Sequence, residues 1–131
     1  MAEQPHTELG RKVMQAGSAG DMAALQQLLT RDCVVHQPGD HPLAGDHKGV
    51  DAVLELVRRM HEETGGTVHA EPQQFFHDGR GHMIAVYRLT ADRKGRRRDA
   101  VAAAILTMVG DRIANIEVFE QDQDQTNQFW G

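Results

Sequence analysis

The chain is poor in cysteine, in aromatic residues and in positive charge. Its one cysteine, Cys33, cannot form an internal disulfide, and its apolar surroundings predict a small buried side chain rather than a nucleophile. Aromatic residues make up only 5%, so an internal cavity would be lined mainly by aliphatic side chains. The formal net charge of −5 disfavours a general nucleic-acid binder.

Long apolar runs are also missing. The longest covers residues 100–106, which is too short to cross a bilayer, so no membrane partner is predicted. Residues 1–10 lack the basic and apolar pattern of a secretory signal, which with the single cysteine predicts a cytoplasmic protein. A length of 131 residues with 40% hydrophobic and 25% charged residues predicts one globular domain, residues 1–131.

Apolar residues recur at helical spacing in the first half of the chain. The spacing predicts helices over about residues 7–16, after the N-cap Asp21, and from near Gly49. A strand over residues 33–37 is stopped by Pro38. The second half alternates instead, which predicts strands over residues 67–77, 82–91, 97–109 and 112–120.

This order predicts an α+β fold, in which three N-terminal helices pack on a curved antiparallel sheet. Such a cone encloses an apolar cavity. Small residues on the fourth of the predicted strands, Ala102 among them, leave room for a ligand or for close helix packing.

The element order and several short strings resemble the NTF2-like superfamily, and within it the small SnoaL-like proteins related to polyketide cyclases and ketosteroid isomerases. The resemblance covers nearly the whole chain. Its strings are Ala19-Gly20-Asp21, His36-Gln37-Pro38-Gly39, Pro42-Leu43-Ala44-Gly45, Lys48-Gly49, Thr64-Gly65-Gly66-Thr67, Gly110-Asp111-Arg112-Ile113 and the segment from Asp122 to Trp130.

The catalytic groups of the steroid isomerases are absent. By resemblance, their base position falls at Gln37, their tyrosine position at Val13 and their second acid near Ala103 or Ala104. Gln37 cannot accept a proton, so that reaction is not expected here. The Asp–Arg–Asp set of the superfamily's epoxide hydrolases is absent as well, and Val35 stands where relatives commonly have an aromatic residue.

Polar residues on the last strand are the first candidates for chemistry. Simple alternation places Ile113, Asn115, Glu117 and Phe119 on one face. If that face is inward, Asn115 and Glu117 meet Gln37, and the buried Glu117 carboxylate acquires a raised pKa suited to proton transfer. The alternative is a Glu117 on the outer face, half covered by a partner subunit. The pattern leaves both open.

Two further residues complete the predicted catalytic set, Glu117, Tyr87 and His36. Tyr87 shares an apolar strand face with Met83, and either a ligand oxygen or ordinary core packing accounts for it. His36 serves either in chemistry or in holding the following loop. By resemblance to the family, that loop, residues 40–47, is a candidate pocket rim that offers His41, Asp46 and His47. The predicted substrate-binding residues are Gln37, Asn115, His47, Val35, Val13, Met83 and Ala102.

Cofactors and metals are not predicted. The eight histidines show no metal-binding spacing, and no phosphate-binding glycine loop occurs. The basic residues 93–98 indicate a solvated hairpin edge, and Arg88 and Asp99 a cross-strand ion pair.

Two kinds of function remain. The first is a cofactor-independent enzyme that isomerises, cyclises or dehydrates a small, mostly apolar oxygenated molecule by acid–base chemistry. The alternative is a non-catalytic small-molecule-binding or dimerisation module of the same fold. The outer sheet face predicts a homodimer in either case.

Overall fold

A computed structural model describes residues 5–131, so the expectation for residues 1–10 lies partly outside the described residues. The elements, in chain order, are α1 (Pro5–Ala19), α2 (Met22–Leu28), β1 (Leu29–Gln37), β2 (Gly45–Lys48), α3 (Val50–Glu63), β3 (His69–His77), β4 (His82–Arg93), β5 (Arg96–Val109), β6 (Arg112–Glu120) and α4 (Gln123–Trp130). Within this range, no helix combines the length and the apolar character needed to cross a membrane.

The local signals for the helices are confirmed. Asp21 caps α2, and its Oδ1 accepts a hydrogen bond from the backbone N–H of Ala24 at 3.1 Å. Gly49 precedes α3 with a φ of 91°, a conformation that favours glycine. The hairpin between β4 and β5 turns at Lys94 and Gly95, both with positive φ as a type I′ turn requires.

The sheet differs from the predicted one in its connections. Its strand order is β2-β1-β6-β5-β4-β3, and β1 pairs with β6 in parallel while the other neighbours are antiparallel. The sheet is therefore mixed, and α3 follows two strands instead of belonging to a block of three leading helices. The short β2 and the mostly polar α4 were not predicted, because neither has a clear apolar periodicity.

A β-bulge in β6 decides which residues face inward. Met108 pairs with Ile113 and Thr107 pairs with Asn115, so two steps along β6 match one step along β5. Ala114 is the extra residue. Simple alternation therefore fails: Ile113 is fully buried, but Asn115 and the residues that alternate with it turn to the outer face.

The inner face of the sheet packs against the helices. Leu29, Cys33, Met83 and Ile113 are almost completely buried there. Gly10 allows α1 to lie directly on β4, because a Cβ at this position would collide with the Met83 methyl group. Burial raises the pKa of the Cys33 thiol to about 11, which fits the predicted small buried side chain.

Candidate functional site

A cavity of about 190 Å³ lies between the inner face of the sheet and helices α1, α2 and α3. Each of these helices, and β1, β5 and β6, contributes aliphatic side chains to its wall. Representative wall residues are Val13, Leu25, Val53, Val35, Ala102 and Ile116.

Some polar wall groups are already held by the protein. Gly17 O accepts a hydrogen bond from His61 Nε2 at 2.7 Å. Ser18 Oγ accepts from the Ala70 N–H at 2.9 Å and donates to the Ala70 carbonyl. These two side chains therefore tie α3 to α1 and α1 to β3, which leaves Gln37, Tyr87, Glu120 and Trp130 as the other wall residues with polar side-chain groups.

Glu120 forms a buried ion pair with Arg98. Arg98 Nη2 donates to Glu120 Oε2 at 2.9 Å, and the two side chains are only 3% and 5% exposed. Burial raises the pKa of the Glu120 carboxyl, against the opposing effects of the Arg98 charge and of hydrogen bonds from Arg98 and Thr126. The carboxylate is thus easier to protonate than an exposed one.

The strand register explains how these two residues meet. Glu120 lies opposite Ala102, and Arg98 lies four residues before Ala102 on β5. Residues 98, 100 and 102 share the inner face because a strand alternates with a period of two. The small side chain of Ala100 leaves the space across which the long arginine reaches Glu120.

Tyr87 lies on the inner face of β4 and lines the cavity. Burial raises the pKa of its phenol, and the Glu120 charge raises it further, so the hydroxyl is neutral over the physiological range. Among residues 5–131, the Tyr87 hydroxyl has no hydrogen-bond partner. It can therefore donate to an oxygen of a molecule in the cavity.

The structure brings together one part of the predicted site. Gln37, Tyr87, Val35, Val13 and Ala102 all line the cavity; their roles toward a ligand stay predictions.

Two predicted substrate-binding residues do not line the cavity. Met83 is buried beneath α1 instead, because Gly10 lets the helix close over it. His47 lies on β2, where the Leu43 carbonyl accepts a hydrogen bond from its Nε2 at 2.9 Å.

The other predicted residues, Glu117, Asn115 and His36, lie on the outer face. The bulge at Ala114 turns Asn115 and Glu117 outward, and both pair across the strands with outward residues of β1. The expectation that Glu117 meets Gln37 inside is therefore wrong.

His36 is part of a polar cluster on that outer face. Its Nδ1 lies 2.7 Å from Asp46 Oδ1, and its Nε2 lies 2.9 Å from Asn115 Oδ1. The hydrogen bond to Asp46 is the main reason that the pKa of His36 is raised. His36 thus holds β1 to β2 and β6 through side chains, whereas the structural role considered from the sequence was to hold the following loop.

Sequence reasoning missed Arg98 and Glu120. Arg98 was interpreted as part of a solvated basic edge, an interpretation that suits its neighbour Arg97, which is exposed and pairs with Asp92. Glu120 is the one acidic residue lining the cavity within residues 5–131. The alternation 98, 100, 102 on β5 was the available signal.

Two other expectations concern charges and metals. The Arg88–Asp99 ion pair is confirmed on the exposed outer face, where Arg88 Nε donates to Asp99 Oδ1 at 2.6 Å. No group of three histidine, cysteine, aspartate or glutamate side chains is placed to hold a metal ion in the described range 5–131.

Comparisons with known proteins agree with this architecture. A family model described as a SnoaL-like domain matches residues 11–116. The Mycobacterium tuberculosis protein Rv0034 is 33% identical over 130 residues, which is 99% of each chain. The solved structure of Bal32a, from a soil-derived mobile gene cassette, superposes with a TM-score of 0.94 at 30% identity over 97% of each chain.

A more distant solved structure shares the fold. It is a putative SnoaL-like polyketide cyclase from Jannaschia, with a TM-score of 0.79 at 10% identity over 100% of this chain and 98% of the other. The match of the family model over most of the chain, together with Rv0034, shows that the chain belongs to the SnoaL-like family.

Proposed function

We propose that the protein is a cofactor-independent enzyme that acts by acid–base chemistry on a small, mostly apolar oxygenated molecule. The proton-transfer group is Glu120, in the role that the sequence had suggested for Glu117. One observation carries the proposal: a buried carboxylate with a raised pKa lies in the wall of an apolar cavity. Perturbed ionisable groups of this kind are concentrated at catalytic sites.

The cavity volume limits the substrate. An engineered cavity of about 150 Å³ is enough to hold benzene, so about 190 Å³ favours a molecule with one ring or a short chain. The wall residues Val13, Val35 and Ala102 surround its apolar part. A tetracyclic steroid or polyketide would need more space than this cavity offers.

Glu120 would remove a proton from a carbon next to a carbonyl group. The C–H bond breaks, its electron pair moves toward the carbonyl oxygen, and the Tyr87 hydroxyl or the Gln37 amide donates a hydrogen bond to that oxygen as charge develops. Return of the proton to another carbon completes an isomerisation. For dehydration, protonated Glu120 gives the proton to a β-hydroxyl group, which leaves as water while the electron pair of the carbanion forms the C=C bond. For cyclisation, the carbanion attacks a second carbonyl group and protonated Glu120 gives the proton to the resulting alkoxide.

Deuterium uptake tests this proposal without knowledge of the natural substrate. A panel of one-ring ketones is incubated with the protein in D2O, and incorporation at the α carbon is measured by mass spectrometry. We expect catalysed uptake with at least one ketone and a loss of about 100-fold or more in Glu120→Gln. Glu117→Gln is the matched control and should keep the activity. Uptake that survives in Glu120→Gln would exclude Glu120 as the base.

A non-catalytic binding module is the second candidate, favoured by the pairing of Glu120 with Arg98, which neutralises the carboxylate. In that case Glu120→Gln leaves ligand binding nearly unchanged, and Ala102→Phe, which fills the cavity, abolishes it. A ketone that binds in isothermal titration but shows no catalysed deuterium uptake favours this second candidate.

We also propose that the protein forms a homodimer through the outer sheet face. Phe76 pairs with Ile84, and Ile84 with Ile105, in one row across three strands; Phe76, Ile84 and the nearby Phe119 are exposed. An apolar strip on a sheet surface favours burial against a second copy. Sedimentation equilibrium should give a dimer that Ile84→Asp converts to a monomer, and a monomeric wild type would contradict the proposal.

A further inference from the structure

A polar groove of about 580 Å³ lies beside the cavity, between β5 and α4. Residues 96–100 of β5 and Gln125, Gln128 and Phe129 of α4 line it. Ala100 in the groove and Ala102 in the cavity lie two residues apart on one strand, and Phe129 and Trp130 are consecutive on α4. The groove and the cavity are therefore neighbours along the same two elements.

The Arg98–Glu120 ion pair separates these two spaces. Arg98 lines the groove, Glu120 lines the cavity, and the hydrogen bond of 2.9 Å joins them. Arg98 Nε is buried and has no hydrogen-bond partner among residues 5–131. A buried N–H group without an acceptor is unfavourable. The arginine thus has an unused donor beside the groove.

The other charged groups of the groove are already paired. Arg97 donates to Asp92, Arg96 donates to the Gln128 carbonyl, and Asp99 accepts from Arg88. Arg98 is the groove arginine whose unused donor edge includes a buried N–H group, its Nε, without a hydrogen-bond partner within residues 5–131. One such edge suits a planar monoanion with two oxygens, since a guanidinium binds a carboxylate through two parallel hydrogen bonds.

We propose that the cavity and the groove bind a single ligand, an amphiphilic carboxylic acid with its apolar body in the cavity and its carboxylate on Arg98. The proposal rests on the proposed function for the apolar part of the molecule. Rotation of the guanidinium presents Nε–H and one Nη–H to the ligand and weakens the bond to Glu120. The two carboxylates therefore compete for one arginine, and binding of the ligand frees Glu120 from its partner.

Matched acids and amides test the proposal. Phenylacetate, 3-phenylpropanoate and 4-phenylbutanoate are titrated calorimetrically, each against its primary amide, which keeps the apolar body and removes the charge. We expect at least one acid to bind about tenfold more tightly than its amide, the effect of a charge-assisted hydrogen bond. Glu120→Gln should increase the preference for the acid, because the uncharged glutamine side chain no longer competes with the ligand for Arg98.

Variants of Arg98 give the decisive comparison. Arg98→Met alone leaves a buried carboxylate without its partner, so the double variant Arg98→Met/Glu120→Gln is measured with it. In the double variant, the acid and its amide should bind equally; in Arg98→Met, where the Glu120 carboxylate is unpaired, the acid should bind no more tightly than its amide. Arg58→Gln is the control, since Arg58 is exposed on α3 and, within residues 5–131, bonds Glu55 and Glu62. It also removes one positive charge but should keep the preference for the acid.

The outcomes separate this proposal from the proposed function. Equal binding of acids and amides to the wild type, or an acid preference that persists in the double variant, overturns the anionic ligand and leaves the cavity as a site for neutral molecules. Failure of every acid and every amide to bind also overturns this proposal, whereas the proposed function is tested separately by deuterium uptake into the ketones.

Discussion

The two faces of the sheet use the same strands and similar charged residues, with opposite physical consequences. On the inner face, the Arg98 and Glu120 side chains are 3% and 5% exposed, and burial raises the pKa of the acid. On the outer face, the Arg88 and Asp99 side chains are 53% and 40% exposed, and the hydrogen bond from Arg88 lowers the pKa of the acid. An exposed carboxylate stays hydrated when it pairs with an arginine, whereas a buried carboxylate loses its hydration and becomes easier to protonate.

The comparison shows that the face of the strand on which a charged residue lies decides its role in this protein more than its residue type does. Glu117 and Glu120 lie three residues apart on β6, one outward and one inward. Had the strand begun one residue later, Glu117 would line the cavity and Glu120 would not, because a shift by one residue exchanges the faces of a strand.

Deletion of Ala114 should have the largest effect on the difference between the two faces of the sheet. Without the bulge, the segment that follows must turn over, which exposes Ile116 and Val118 and drives Glu117 inward. We expect a loss of more than about 4 kcal/mol, since exposure of each aliphatic side chain costs about 1.5–3 kcal/mol, and the variant should not fold. Circular dichroism and urea unfolding check this, with Ala114→Gly as the control that keeps the bulge. A deletion variant of native stability would show that the bulge does not set the faces.

Arginine removal on each face compares the two ion pairs directly. Arg98→Met should lower the free energy of unfolding by about 3–5 kcal/mol, because Glu120 loses its partner inside the protein. Arg88→Met should cost far less, because exposed ion pairs contribute little to stability. Urea denaturation measures both.

Adding Glu120→Gln to Arg98→Met should recover most of the loss, since no uncompensated charge remains. Equal losses in Arg98→Met and Arg88→Met would contradict the difference between the faces. A single transition in these curves is also what the one-domain prediction requires.

Within the inner face, the cavity and the packed region beside it also differ. Ala85 and Ala102 are both buried alanines, but Ala102 lines the cavity and Ala85 does not. Ala85→Phe should overpack the sheet against its neighbours and cost about 1–3 kcal/mol. Ala102→Phe has space to fill and should cost clearly less. Thermal unfolding of the two variants compares their losses of stability. Similar losses would indicate that the cavity is closed and offers no space for the phenyl ring.

The smallest effect belongs to the outer cluster around His36. Because its folded pKa lies above the ordinary value, the pair with Asp46 stabilises the protein fully below about pH 6.5 and loses this contribution as pH rises through the raised pKa. His36 is 37% exposed, so the effect should stay below about 1 kcal/mol. The gap in stability between wild type and Asp46→Asn should therefore narrow from pH 5.5 to pH 8.5 in urea unfolding. A constant gap would contradict it.

Much of the fold could be predicted from local patterns. Asp21 has the cap geometry expected before α2, and the predicted β6, residues 112–120, has the observed bounds. Gln37, Tyr87 and Ala102 also reach the cavity as expected. By contrast, β2 has no apolar periodicity and exists because its backbone pairs with β1. Such pairing depends on a partner strand and not on the residues themselves.

The sequence by itself determined the order of the elements other than β2 and α4, the hairpins and the family of the protein, because these depend on short-range periodicity, caps and turn residues. Only the tertiary structure decided which residues of β6 meet the cavity. Each face of that strand carries both aliphatic and acidic side chains, so the sequence pattern does not indicate which face is buried. The bulge at Ala114 arises from pairing with β5. It places Glu120 beside Arg98, and these two residues are 22 positions apart in the chain.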